Sequence, residues 1–288
     1  STAISQQLVA VDAATKVATD KAAKQARLAQ EVQAKRVADQ QARAAEAVRR
    51  ANTFHVPSPA LASGALFMTS AGAVGLADTA LVALQAAIRA AISALIGAAI
   101  SAGAVKSIGV FAMLAPLFYS SKLANGELPE RYAFSTPVSD IAPNLGQNLN
   151  AAAAGHTVDL PYRISSKTAV DGQSEVFLVK TDGVIVPSKV RVVAASYDAA
   201  QKVYAVTTAD LPPRTLIWTP VFNPGNSSTT SPAAHPTPPV YTGASVTPVE
   251  GRLETFPAVS EASFDDFITV FPVDSGLPPI YTMFRDRR

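Results

Sequence analysis

The chain has 288 residues, of which 48% are apolar and 16% charged, and its formal net charge is only +2. That balance excludes a disordered chain, which needs low hydrophobicity and high charge, and leaves no global electrostatic pull toward nucleic acid. Cysteine is absent, so disulfides, thiol nucleophiles and thiolate metal sites are excluded outright.

Residues 1–52 hold neither Gly nor Pro and are rich in Ala, Gln, Lys and Arg. These are strong helix formers, so the composition predicts one continuous helix, and fifty residues at about 1.5 Å each span roughly 75 Å. Ile4, Leu8, Val11, Ala18 and Ala22 begin a thin heptad-like seam, continued loosely by Ala29 and Val32 and interrupted by Gln25 and Arg36. Basic residues gather at the end of the segment, where Arg49 and Arg50 complement the helix dipole. Pro57 disfavours helix at the preceding residue, so the segment ends at Phe54-His55-Val56.

Residues 53–130 change character: between residues 57 and 121 only Asp78, Arg89 and Lys106 carry charge. Ser58-Pro59 reads as an N-cap followed by proline at the first helical position. Gly72 and Gly75 mark a turn, Asp78 caps a second helix predicted over 79–102, and Gly103 closes it. A third apolar stretch covers 105–119, broken at Pro116. Two readings compete here. An all-round apolar helix is what a buried core contains; the second helix is also long enough to span a bilayer, and Gly97 and Ala98 would permit close helix contact. Arg89 at mid-helix opposes insertion by roughly 2.5–3.5 kcal/mol.

Residues 131–288 read as β-type. Segments 174–181 and 184–195 flank Asp182-Gly183, which predicts a hairpin. A further antiparallel strand is expected at 202–208 after a turn at 197–201, another at 214–219, and later ones at 240–242, 267–271 and near 280–284. The Pro/Ser/Thr-rich stretch 223–239 reads as a surface loop. The predicted class is α+β: a long N-terminal helix and an apolar helical subdomain, followed by a Pro-rich antiparallel β domain of sandwich or meander type.

No reaction centre can be assembled from these residues. His55, His156 and His235 each stand alone, and there is no H-E-x-x-H, no phosphate-binding glycine loop and no G-x-S-x-G elbow. Asp265-Asp266 is the one adjacent acid pair; between Phe264 and Phe267 it reads as the start of a strand rather than an acid–base pair. No cofactor and no metal are expected.

Three C-terminal segments carry a resemblance: Pro239-Val240-Tyr241-Thr242-Gly243, Asp266-Phe267-Ile268-Thr269-Val270-Phe271-Pro272, and Ser275-Gly276-Leu277-Pro278-Pro279-Ile280-Tyr281. In this order, over nearly fifty residues, they resemble the S-type pyocin domain of colicin-like bacteriocins, and the preceding β segments and apolar stretch extend the likeness over 54–288. The signature positions are Tyr241, Thr242, Gly243, Asp266, Phe267, Phe271, Pro272, Ser275, Gly276, Pro279, Ile280 and Tyr281, whose aromatics suit a β core at least as well as a contact surface. The resemblance implies a non-catalytic translocation domain that carries a cytotoxic domain, a nuclease such as an HNH-type DNase, across the envelope of a target bacterium. Its implied partners are the envelope import machinery, transiently a membrane, and a cytotoxic domain beyond Arg288; the fragment itself is expected to bind no nucleic acid and to be a monomer. Arg49, Arg50, Arg89 and Lys106 are the candidate membrane or machinery contacts. Both ends read as cut points in a longer protein without a visible signal peptide, which fits release by lysis and action at the target envelope. A pore-forming fragment and a coiled-coil adhesin module are the alternatives.

Overall fold

The computed structural model describes residues 2–56, 65–70, 72–74, 78–101, 110–119, 131–146, 149–168, 174–184, 186–219, 240–241, 244–246, 252–255 and 264–286. Two compact units emerge, Ser1–Ala51 and Asn52–Arg288. The first is a single helix, α1 (Thr2–Ala51). From residue 4 onward its side chains are exposed except for half-buried Glu46, and with no Gly or Pro nothing in the sequence interrupts its ladder.

The second unit is built mainly of strands. In chain order these are β1 (Thr53–Val56), β2 (Leu66–Thr69), β3 (Gly72–Val74), helix α2 (Asp78–Ser101), β4 (Val110–Tyr119) and β5 (Arg131–Pro137). Two one-turn helices follow, α3 (Val138–Ile141) and α4 (Pro143–Gly146), then β6 (Thr157–Asp159), β7 (Tyr162–Thr168), β8 (Ser174–Lys180) and β9 (Lys189–Ala194). The chain continues through β10 (Ser196–Asp198), β11 (Val203–Thr207), β12 (Thr215–Trp218), β13 (Val240–Tyr241), β14 (Ala244–Val246), β15 (Arg252–Thr255), β16 (Asp266–Val270) and β17 (Ile280–Asp286).

Three sheets result: β1-β12-β11-β10, β13-β3-β2-β5-β17-β16-β9-β6, and β14-β4-β8-β7 with β15 also on β4. The eight-stranded sheet is the middle layer. On one face Phe67, Phe134, Val192, Ile268, Tyr281 and Met283 meet α2 and the five-stranded sheet; on the other Leu66, Met68, Phe267, Ile280 and Phe284 meet Phe54, Leu216 and Trp218 of the four-stranded sheet. Strands buried on both faces lose polar–apolar alternation, and β16 is buried at every position. Trp218, the sole tryptophan, is fully buried, and its indole Nε1 has no hydrogen-bond partner.

The α+β class holds, with three changes of detail. First, the apolar region 53–130 is not all helical. β2 lies inside the helix expected after Ser58-Pro59, whose own start lies outside the described residues, and β4 replaces the third apolar stretch. A short apolar run has no period that separates buried helix from buried strand; Val110, Phe111, Phe118 and Tyr119 tip it toward strand, and Pro116 follows a register irregularity between Met113 and Ala115. Residue 130 consequently does not divide the sheets, since β2 pairs with β5 and β3 with β13. Second, the sheets are mixed rather than antiparallel, with parallel pairs β1/β12, β3/β13 and β9/β16. Third, Asp182-Gly183 is a corner between sheets and not a hairpin turn: β8 pairs with β4 and β7, whereas β9 pairs with β6 and β16. Asp182 Oδ1 accepts the amides of Val184 and Val186 at 2.9 Å, and Gly183 takes φ +75°. This side-chain-capped turn redirects the chain. The 240–242, 267–271 and 280–284 expectations correspond to β13, β16 and β17.

Helix α2 buries one stripe, Leu84, Ala87, Ile88, Ala91 and Leu95, and leaves Arg89 exposed. Among the described residues no helix is long and apolar enough to cross a membrane. Ile88→Ala is expected to cost about 2–5 kcal/mol by urea unfolding, whereas Arg89→Ala stays within about 0.5 kcal/mol of the parent.

Candidate functional site

The resemblance-bearing residues converge on the β16–β17 hairpin. Pro272 accepts the Ser275 amide at 3.0 Å and opens a single 3-10 turn; Ser275 is buried, and its Oγ accepts the Leu277 amide at 3.1 Å. Gly276 closes the turn at φ +70°, a left-handed backbone that strains any side chain. The Pro279 carbonyl then accepts the Val138 amide at 2.9 Å, and Ile280 pairs across to Thr269 and Pro137.

Asp265 and Asp266 are neighbours in sequence whose side chains leave the hairpin on opposite faces, as adjacent strand residues must. Asp266 is fully buried and is gripped by the Arg163 guanidinium, with Nε donating at 2.9 Å to Oδ2 and Nη2 donating to Oδ1. The Tyr281 hydroxyl donates to Oδ2 as well and accepts the Ile164 amide at 2.9 Å. Arg163 Nη1 donates to the Pro187 carbonyl at 2.8 Å, and its guanidinium lies 4.4 Å over the Phe264 ring. Burial, then the charge of Asp266, pushes the Tyr281 phenol well above its ordinary pKa, so it is a donor throughout the neutral range. With every carboxylate oxygen occupied and no solvent access, Asp266 is a clamp and not an acid–base group.

That clamp also closes a sheet edge. β7 is the last strand of the five-stranded sheet, and its outward backbone meets side chains of β17: Tyr281 takes the Ile164 amide, and Arg285 donates to the Ser166 carbonyl at 3.1 Å. Side chains thus substitute for the ladder that an open edge lacks.

On the other face Arg214 donates to Asp265 Oδ1 at 2.7 Å and to Asp210 at 2.9 Å, while Arg191 forks onto Asp210 at 2.6 and 3.0 Å. Arg214 lies 4.3 Å over the Phe284 ring and Arg191 5.2 Å over Phe267. The Arg191 hydrogen bond holds the Asp210 carboxyl well below the usual carboxylate range. Phe271 completes this face, its ring 4.9 Å edge-on to Trp218 and 6.1 Å from Tyr204.

Of the remaining expected positions, Tyr241 ends β13 with its backbone beside Val74, whereas Thr242, Gly243, Lys106 and His235 lie outside the described residues. Arg49 and Arg50 both bond to Glu46 on α1, and Arg89 is exposed on α2. His55 is half-buried in β1, and burial lowers its pKa; exposed His156 accepts the Val192 amide through its carbonyl at 2.9 Å, a turn contact. Among the described residues no group of three His, Asp or Glu is placed to hold a metal. Arg163 and Arg214, the partners of the acid pair, are absent from the sequence-derived set: 103 and 51 residues separate each from its aspartate, and no local motif announces them.

Pyocin-S1 of Pseudomonas aeruginosa is 40% identical over 254 residues, covering 84% of this chain and 40% of that protein. Pyocin-S2 of Pseudomonas aeruginosa strain PAO1 is 39% identical over 254 residues, with 84% and 36% covered. Among solved structures, the ColE7 translocation domain shares 18% identity at a TM-score of 0.39 over 68% of this chain and 75% of that one. The cytotoxic bacterial protein colicin B shares 19% at 0.42, over 70% and 40%. The sequence relationships place the chain among bacteriocins. Residues 148–283, β6 through most of β17, match the S-type Pyocin family, and the chain belongs to that family. It spans about two-fifths of the length of the curated relatives it matches.

Arg163→Met leaves a buried unpaired carboxylate and is expected to cost about 3–5 kcal/mol by urea unfolding, while Arg163→Met with Asp266→Leu recovers much of that loss. Tyr281→Phe, which removes one donor and orphans the Ile164 amide, should cost about 1–3 kcal/mol. Asp210 has a depressed folded-state pKa, so its pairing stabilises above the ordinary Asp value near 3.9 and is lost as pH falls through the lower folded value. Arg191→Gln should therefore destabilise at pH 7, and its difference from the parent in urea titrations should narrow below about pH 4.

Proposed function

We propose that this chain is the import module of an S-type pyocin-like bacteriocin: it carries a cytotoxic domain attached beyond Arg288, a nuclease of the HNH DNase type, across the envelope of a target Gram-negative bacterium. The observation that carries this reading is the 40% identity to Pyocin-S1 through 84% of the chain. The buried network around Asp266 supports it indirectly, because the described signature residues of the β16–β17 hairpin pack within a scaffold. The chain acts as a monomer, released by lysis, at the envelope and periplasm of the target cell, where it engages envelope import machinery and touches the membrane transiently. Arg49, Arg50, Arg89 and Lys106 are its cationic contacts. Residues 1–52 serve as the lead-in, and residues 53–288, whose apolar region shares its sheets with the β segments, as the pyocin-type domain.

A chimera tests the reading. This chain replaces the matching segment of Pyocin-S1, and killing of sensitive cells is scored beside receptor binding and cytotoxic activity in cell extracts. Killing within about tenfold of intact Pyocin-S1 is expected, with no plasmid cleavage and no liposome dye release by the chain alone. A chimera that binds and is toxic in extracts yet leaves cells unharmed would overturn it, as would DNA cleavage or membrane leakage by the chain itself.

A further inference from the structure

The charges of α1 follow a pattern that the import reading leaves unused. Each of its five acids, Asp12, Asp20, Glu31, Asp39 and Glu46, is followed four residues later by a base: Lys16, Lys24, Lys35, Arg43 and Arg50. Four residues make one turn, so on a helix each acid sits beside its base, and the acid lies on the N-terminal side, the more favourable orientation. The last pair is closed: Glu46 Oε1 accepts Arg50 Nε at 3.0 Å, and Arg49 adds two bonds at 2.8 and 2.9 Å. The hydrogen bond from Arg49, then that from Arg50, holds the Glu46 carboxyl below its ordinary value.

The apolar residues do not supply a competing organisation. Ile4, Leu8 and Val11 share a face for about two turns, but Val9, Val17 and Leu28 project elsewhere, and all six are between 52% and 70% exposed. Further along, the heptad positions that Val32 would hand on to are Arg36, Asp39 and Arg43. A coiled-coil strand needs a sustained seam, and a membrane-surface helix needs one apolar face opposite one basic face; α1 has neither. A helix polar all round and dense in pairs four apart is one that spans solvent on its own.

We propose that α1 is a self-supporting helical rod, stiffened by its own acid–base pairs, that acts as a fixed-length spacer and not as a coiled-coil strand or membrane-surface helix. The chain has no cysteine, so labels can be placed at will. Nitroxides on Ala10→Cys and Ala45→Cys of the full chain, read by double electron–electron resonance, should give one narrow distance near 52 Å, at about 1.5 Å per residue, independent of protein concentration. Converting three pairs to like charges, with Lys16→Glu, Lys24→Glu and Lys35→Glu, should broaden and shorten that distance at low salt and restore it at about 1 M salt, where such charges are screened. Lys21→Gln with Arg36→Gln, which touches none of the five pairs, should leave it unchanged. A broad distribution in the parent overturns the proposal, as do intermolecular distances that grow with concentration or a triple variant that stays narrow at low salt. The distance is read without any killing assay, so its failure and that of the import reading are separately visible.

Discussion

A carboxylate with no solvent exposure, Asp266, lies inside the larger unit, and the contacts that satisfy it tie three of its strands together. An isolated buried carboxylate is prohibitively costly in a low-dielectric interior. Here it is matched by a forked guanidinium and a phenol, and each partner has its own second contact, the Pro187 carbonyl for Arg163 and the Ile164 amide for Tyr281. Because these groups come from β7, β16 and β17, satisfying one charge fixes the position of one sheet against another. Apolar packing alone would tolerate sliding; a bidentate pair does not.

The same hairpin explains why the family's marker residues look as they do. β16 and β17 are buried on both faces, so their sequences show continuous apolar and small-polar runs where a half-wet strand would alternate. Ser135 and Thr282, both fully buried, satisfy each other across the β5–β17 pair at 2.8 Å. The glycine and prolines between the two strands belong to a turn that only a left-handed residue can close. Nothing in this set needs to touch a partner for its residue types to be required.

Much of this was legible in the sequence, for identifiable reasons. The absence of Gly and Pro over fifty residues dictates α1, and the Asp78 cap, the apolar run after it and the Gly103 stop announce α2. Strands β11 and β12 follow from short apolar runs and the turn residues before them, whereas β10 at Ser196–Asp198 overlaps the stretch 197–201 that reads as a turn. What failed was non-local. Asp182-Gly183 carries a hairpin signal, but whether two flanking strands pair depends on which other strands compete for their edges, and here β4 and β7 take one while β6 and β16 take the other. The 110–119 run reads as helix or strand by periodicity alone; the pairing of β4 with β8, β14 and β15 settles it as strand. The acid pair was visible as a strand start, yet the arginines that grip it lie far away in the chain, and charge complementarity at such separations leaves no trace in a local window.

The solitary indole has an experimental consequence. Trp218 stands at the boundary between the four-stranded sheet and the middle layer, edge-on to Phe271, with its N–H unpaired. Indole emission from the whole polypeptide therefore originates at a single buried seam, and a red shift marks water arriving there and nowhere else. If the outer sheet peels off before the Asp266 region lets go, emission will change ahead of far-ultraviolet dichroism, and the two optical signals together will give the order in which the layers separate.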